Sequence, residues 1–269
     1  MSKSRAGSAV AAMMGGLTIA MVIGVPLGSW IGQLFDWRTP FLIVTALTII
    51  AVLGLVWLLP RDITYQQPAP FLAQLGLLGN RSLAILYLLT AVGFGSTFVV
   101  FTFISPLLTN ITGVPKGTVN IALLIFGAAS FVGNFAGGRL SDLLGTRKAM
   151  MIVLCGLIVS FAFIPLAIHH HISIFVIIAI WGVFAFAIPP IMQTGVVATA
   201  EQVAPDAIGT ASGFNIAAFN LGISAGSYIG GQLLQGPGLL TTPYASIAMA
   251  IIVLVITTFA LRPQTAPAK

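Results

Sequence analysis

None of the chain's 11 basic and 5 acidic residues falls inside the eight long apolar stretches that occupy most of its 269 positions. A charge at hydrocarbon depth is costly, so a chain that keeps every charge at the ends of such stretches is built to cross a bilayer repeatedly. The stretches run over 9–31, 41–59, 83–108, 119–136, 149–168, 174–198, 207–234 and 244–261. At about 1.5 Å rise per residue, each can cross roughly 30 Å of hydrocarbon as a helix that satisfies its own backbone N–H and C=O groups. Transmembrane strands would alternate apolar and polar residues in segments of about ten residues, and that pattern is missing. The expected fold class is an all-α polytopic membrane bundle of eight transmembrane helices.

Composition agrees, with 58% hydrophobic and 6% charged residues against about a quarter charged in soluble domains. Lys3 and Arg5 ahead of an apolar run imitate a secretory leader. That run is longer than the usual h-region of about 7–15 residues and contains Pro26 among spaced glycines, so it reads as a retained span. Each span crosses once, which puts Lys3, Arg5, Arg61, Arg81, Arg139, Arg147, Lys148, Arg262 and Lys269 on one side and only Arg38 and Lys116 on the other. The positive-inside bias then predicts both termini in the cytoplasm, in a cell (inner) membrane. The same topology accounts for the basic balance and argues against nucleic acid, which needs basic residues gathered on one face.

Helices in lipid associate through close packing of small residues. Gly16, Ala20, Gly24, Gly28 and Gly32 recur every four residues in the first stretch, and Gly209, Gly213, Gly222, Gly226 and Gly230 mark the seventh. Both stretches are expected at tight crossings. The lone pair Gly133 and Gly137 in the fourth stretch fits either a crossing or the general abundance of glycine in membrane helices. Pro26, between Gly24 and Gly28, removes a backbone donor and should bend or loosen the first span, as should Pro106, Pro165 and Pro189-Pro190 in the third, fifth and sixth.

Between the fourth and fifth stretches stands Gly138-Arg139-Leu140-Ser141-Asp142-Leu143-Leu144-Gly145-Thr146-Arg147-Lys148. Gly138 would let the chain turn against a helix end, Asp142 would cap a helix amino terminus, and Arg147 with Lys148 satisfies the positive-inside preference. This segment resembles the signature loop of the major facilitator superfamily. Gly24-Val25-Pro26-Leu27-Gly28 with the following Asp36-Trp37-Arg38 resembles the fifth-helix antiporter motif and its turn in bacterial drug and sugar efflux permeases, with Asp36 in place of glycine. Ala204-Pro205 and Ala218-Phe219-Asn220-Leu221-Gly222 are similar to the eleventh helix of the arabinose-efflux-like branch.

In that family the signature loop follows the second helix and echoes after the eighth, whereas here it follows the fourth stretch. The resemblance therefore implies that the chain corresponds to helices five to twelve of twelve, a partial major facilitator fold with four amino-terminal helices absent. Residues 1–59 would be the last two helices of the first bundle, 60–82 a cytoplasmic linker and 83–269 the complete second bundle. The implied parent activity is proton-coupled efflux of a small organic molecule (a drug, sugar or related metabolite) by alternating access. Gly24, Pro26 and Gly28 would form its hinge, and Gly138, Arg139, Asp142, Gly145, Arg147 and Lys148 its cytoplasmic latch. By the family's pseudosymmetry, Asp142 should lie within about two helix diameters, about 20–24 Å, of the first span's start at residues 4–12. The alternative is a transport-inactive remnant or an assembly partner that needs the other helices.

All five acidic residues, Asp36, Asp62, Asp142, Glu201 and Asp206, lie at span ends, so no proton-coupling carboxylate sits at membrane depth in this chain. The resemblance places such acids in the absent helices. Neutral amides and aromatics remain within the spans, and Phe98, Phe101, Trp181, Phe184, Gln193, Asn215 and Asn220 are the substrate-path candidates, offering a few polar contacts among apolar walls. Intramembrane amides equally serve to bond a neighbouring helix, and phenylalanines to face lipid. His169-His170-His171 reads as a solvated turn rather than a metal site, because three consecutive side chains cannot easily converge on one ion. Cys155 stands alone and is expected to be a small core residue. No nucleophile and base share a span, so the chain is expected not to be an enzyme, to need no cofactor or metal, and to have a lipid bilayer, a small-molecule substrate and, by resemblance, protons as partners. No obligate protein partner is evident.

Overall fold

A polypeptide surrounded by lipid has no water to take up its backbone hydrogen bonds, and this one satisfies them with helices. The computed structural model describes residues 20–58 and 74–261, and no strand occurs among the described residues. The chain divides into two units, 1–69 and 70–269.

In the first unit a π-helical turn, Ala20–Gly24, runs into α1, Val25–Leu34. Pro26 occupies the first turn of α1. Its missing N–H leaves a carbonyl in the preceding turn without a partner, and the wider π turn lies where that disturbance is expected. α1 closes with Phe35 N–H donating to Ile31 O at 3.0 Å, and α2 follows as Thr39–Leu58. The intervening turn holds Arg38 Nη1 3.3 Å from Asp36 Oδ2, with the guanidinium carbon 4.5 Å above the Trp37 ring. α2 buries none of its residues, so its Leu, Ile and Val side chains face outward. Gly24 and Gly28 meet no neighbour in their own unit, and Gly32 lies near Pro40. Among the described residues of that unit, no tight crossing is made at these glycines.

In the second unit Asn80 starts α3, Arg81–Phe101, by accepting hydrogen bonds from the N–H groups of Ser82 and Leu83 at 3.1 and 3.3 Å. α3 breaks at Thr102-Phe103, one turn before Pro106, which cannot donate to the Thr102 carbonyl. The chain resumes as a short α4, Ile104–Leu107, and a π turn, Leu108–Thr112, that ends on left-handed Gly113 (φ 76°).

α5, Lys116–Ala167, carries both the fourth and fifth expected spans. Gly145, at φ 75° and ψ 159°, divides it into limbs 116–144 and 146–167. α6, His171–Val203, α7, Ile208–Gln235, and α8, Thr242–Ala260, complete the unit. Helical dihedrals continue through Pro165 and Pro189-Pro190. Those prolines cost backbone hydrogen bonds without interrupting the helical dihedrals.

Among the described residues, α2, α3, α5, α6 and the segment Leu239–Ala260 are long and apolar enough to cross a membrane. α7 is not among them, since glycine, serine and asparagine dilute its apolar content.

Glycines set the two closest crossings. A Cβ at Gly222, Gly226 or Gly230 of α7 would collide with the carbonyl oxygen of Ala91, Gly95 or Val99 of α3. Gly133 and Gly137 on the first limb of α5 stand likewise against the carbonyls of Val183 and Ala187 on α6. The fourth-stretch pair, ambiguous in sequence, therefore marks a true crossing. Cys155, expected in the core, is instead exposed on the outer side of α5.

Candidate functional site

α3, α6 and α7 converge on a buried polar chain. The Thr90 hydroxyl donates to Asn215 Oδ1 at 2.7 Å, and Asn215 Nδ2 donates to Gln193 Oε1 at 2.8 Å. Asn215 and Thr90 have no exposed surface. An amide buried among apolar helices is destabilising by several kcal/mol unless paired, and here both ends of Asn215 are paired. Gln193 is half-buried and opens onto a shallow, open groove of about 370 Å³ along α6, lined also by Thr194, Val197, Ala198 and Glu201. The groove offers one donor-bearing amide and one carboxylate against apolar walls. Such a surface suits a small organic molecule better than bond-making chemistry.

The other candidates separate into different environments. Asn220 is exposed and donates to Ile216 O of its own helix at 2.8 Å, outside the polar chain. Trp181, 1% exposed, is enclosed by Phe101, Phe126 and Phe161 at ring-centre distances of 6.0, 4.9 and 5.8 Å. It is a core residue that lines no open surface, and its indole N–H has no acceptor among the described residues. Phe101 stacks on Phe126 at 4.5 Å, and Phe98 joins it to Phe94, which also meets Phe186 and Phe219. The ring of Phe184 instead lies over Gly156 of α5. Thr90, Phe94 and Phe126 were not among the residues singled out from sequence. A threonine or phenylalanine in an apolar helix carries no mark of its partner on another helix.

The charged segment 138–148 differs from expectation in its geometry. Residues 138–144 are helical and the turn falls at Gly145, so Gly138 is an ordinary helical glycine with open space at its Cβ position. Asp142 is an exposed helical residue just before the turn and caps no described helix start. Only glycine adopts the dihedrals at 145 without strain, which decides where the chain bends.

Beyond the turn, buried Thr146 sits beneath Gly195 of α6, where an added Cβ would lie 2.7 Å from Thr146 Cγ2. Arg147 Nη2 donates to the Thr258 carbonyl at 2.7 Å, in the last turn of α8. That pairing satisfies one of the carbonyls a helix end leaves free and puts a cation at the negative end of its dipole. Arg139 and Lys148 are exposed. The expected start of the first span, residues 4–12, lies outside the described residues, as does most of the expected linker 60–82. At the opposite end of α5, His171 Nε2 stands 3.2 Å from the Thr112 carbonyl and ties the start of α6 to the end of the π turn.

The chain as a whole is similar to known transporters. The family model described as Major Facilitator Superfamily matches residues 1–110 and 83–269. The MFS-type transporter YtbD of Bacillus subtilis is 38% identical over 255 residues, covering 95% of this chain and 64% of the relative. A probable sugar efflux transporter of Mannheimia succiniciproducens is 31% identical over 253 residues, covering 93% of this chain and 62% of the relative. The chain thus spans less than two thirds of the length of these relatives. The crystal structure of a bacterial homologue of the human lysosomal transporter Spinster, inward-facing and unoccupied, shares the fold at a TM-score of 0.60 and 19% identity, over 95% of this chain and 70% of that one.

Proposed function

This chain belongs to the Major Facilitator Superfamily, and from that premise we propose that it forms the greater part of a proton-coupled exporter of a small organic molecule. It is a multi-pass membrane protein, and its relatives are transporters rather than enzymes. In this reading its spans correspond to helices five to twelve of a twelve-helix unit: two of the first bundle, a linker, and all six of the second. Substrate would bind at mid-membrane between the bundles, and rocking would expose it to each side in turn.

The observation that carries this reading is the polar chain Thr90-Asn215-Gln193, which anchors the Gln193 amide by its oxygen at the edge of a groove along α6. The spacing of acids supports placing proton coupling elsewhere in the unit, since Asp142, Glu201 and Asp206 all lie outside the apolar stretches. The sugar efflux relative favours an uncharged, oxygen-rich substrate. Arg147 at the end of α8, with Gly145 at the turn, serves as the cytoplasmic latch, and the π turn before Pro26 as a hinge.

The test is transport by the 269 residues alone and by the same residues joined behind the first four helices of YtbD. The joined protein should export a drug or sugar from a sensitive host and lose that export with a proton uncoupler, while the chain alone confers none. Uncoupler-sensitive export by the chain alone would refute the twelve-helix correspondence. Export that persists without a proton gradient would refute the coupling.

A further inference from the structure

We infer that Thr90 and Asn215 are positioning residues that hold the Gln193 amide with its nitrogen toward the groove, so that the groove selects organic molecules presenting a hydrogen-bond acceptor oxygen. This rests on reading the groove as part of a substrate path.

The argument is one of donor order. In the structure the Thr90 hydroxyl donates to Asn215 Oδ1 at 2.7 Å, which leaves the Nδ2 donor of that amide facing Gln193. Asn215 Nδ2 in turn meets Gln193 at its oxygen, at 2.8 Å. The Gln193 Oε1 is thereby engaged on the buried side. Among the described residues nothing accepts from Gln193 Nε2, which belongs to the half-exposed residue that lines the groove. Reversing the Gln193 amide alone would set its nitrogen against the nitrogen of fully buried Asn215, two donors facing each other. The polarity shown to the groove is therefore relayed from Thr90 on α3 through Asn215 on α7, two helices beyond the residue that touches ligand.

Acceptor oxygens, as in a carbonyl, hydroxyl or phosphine oxide, would bind there. A ligand without an acceptor would leave Nε2 desolvated and unpaired. The remaining lining between Gln193 and Glu201 is Thr194, Val197 and Ala198, so the amide is the groove's only donor nitrogen side chain.

The full chain in lipid nanodiscs allows two independent measurements. Hydrogen exchange of side-chain amides by NMR, with Asn215→Asp and Gln193→Glu used for assignment, should show slow exchange at Asn215 Nδ2 and fast exchange at Gln193 Nε2. The opposite pattern would overturn the orientation whatever binds.

Equilibrium binding would then compare triphenylphosphine oxide, which carries an acceptor oxygen, with tetraphenylphosphonium, which has similar rings and no acceptor. Asn215→Asp accepts from Gln193 Nε2 and so turns the glutamine oxygen outward. It should weaken the oxide about tenfold, the scale of one lost hydrogen bond, and Thr90→Val should weaken it a few-fold. Tetraphenylphosphonium should hold within about twofold in Thr90→Val and bind no more weakly in Asn215→Asp, whose added carboxyl can only attract a cation. Equal loss of both probes would mean a merely structural role and overturn the inference, as would unchanged oxide binding in both variants. If the wild-type chain binds neither probe, the substrate-path reading falls and takes the selectivity with it, whereas oxide binding that ignores both substitutions removes the orientation alone.

Discussion

Gly226 on α7 and Gly138 on α5 are the same amino acid in opposite situations. At Gly226 a methyl group would strike the Gly95 carbonyl, and only a shift of two helices could admit it. Overpacking of that kind costs about 1–3 kcal/mol, so Gly226→Ala should lower the thermal midpoint of the purified protein in detergent. Gly138 has open space at its Cβ position and helical neighbours, so Gly138→Ala should be neutral or stabilise by up to about 1 kcal/mol in the same melt. A destabilised Gly138→Ala would show that the glycine is held by a contact beyond the described residues. Gly145→Ala, at φ 75°, should cost about 1–2 kcal/mol through backbone strain alone. Sequence spacing placed all three in glycine motifs. Which of them answers to packing, to backbone or to neither depends on what lies opposite, and that is a tertiary fact.

At the scale of elements, Arg147 joins the second limb of α5 to the end of α8 through the Thr258 carbonyl. Arg147→Ala removes a charge-assisted bond worth about 1.5–3 kcal/mol and the cation at the helix end. Amide hydrogen exchange should quicken in the last turn of α8 while the amino end of α3, capped by Asn80, keeps its protection. Uniform quickening would point to global loss of stability instead. The element boundaries were largely legible, because length, apolarity and proline report on single segments. α3 breaks one turn before Pro106 as expected, yet α6 passes Pro189-Pro190 unbroken. The difference lies in what holds each helix: Thr102 is exposed where α3 breaks, whereas the run ahead of Pro189 is packed inside the unit.

For the whole molecule, the basic residues predict an orientation that fusion reporters can read. Green fluorescent protein after Lys269 should fluoresce, and alkaline phosphatase inserted between Gly113 and Lys116 should be active. Active phosphatase after Lys269 would invert the topology and move Arg147 to the outer side. The rule applies because basic residues near span ends resist crossing the membrane, independent of how the helices pack.

The amino-acid sequence by itself determined the spans, their helical nature and the family likeness, since each follows from where charge, glycine and proline fall along a single line. It also brought Gln193, Asn215 and Arg147 forward, as polar groups standing out in or beside apolar runs. Only the tertiary structure decided that Asn215 is buried between Thr90 and Gln193, that Asn220 turns outward to its own helix, that Trp181 is core, and that Arg147 reaches the end of α8. A hydrogen bond or an aromatic contact joins residues 92, 111 or 125 positions apart, and no local period encodes which face of one helix will meet which face of another.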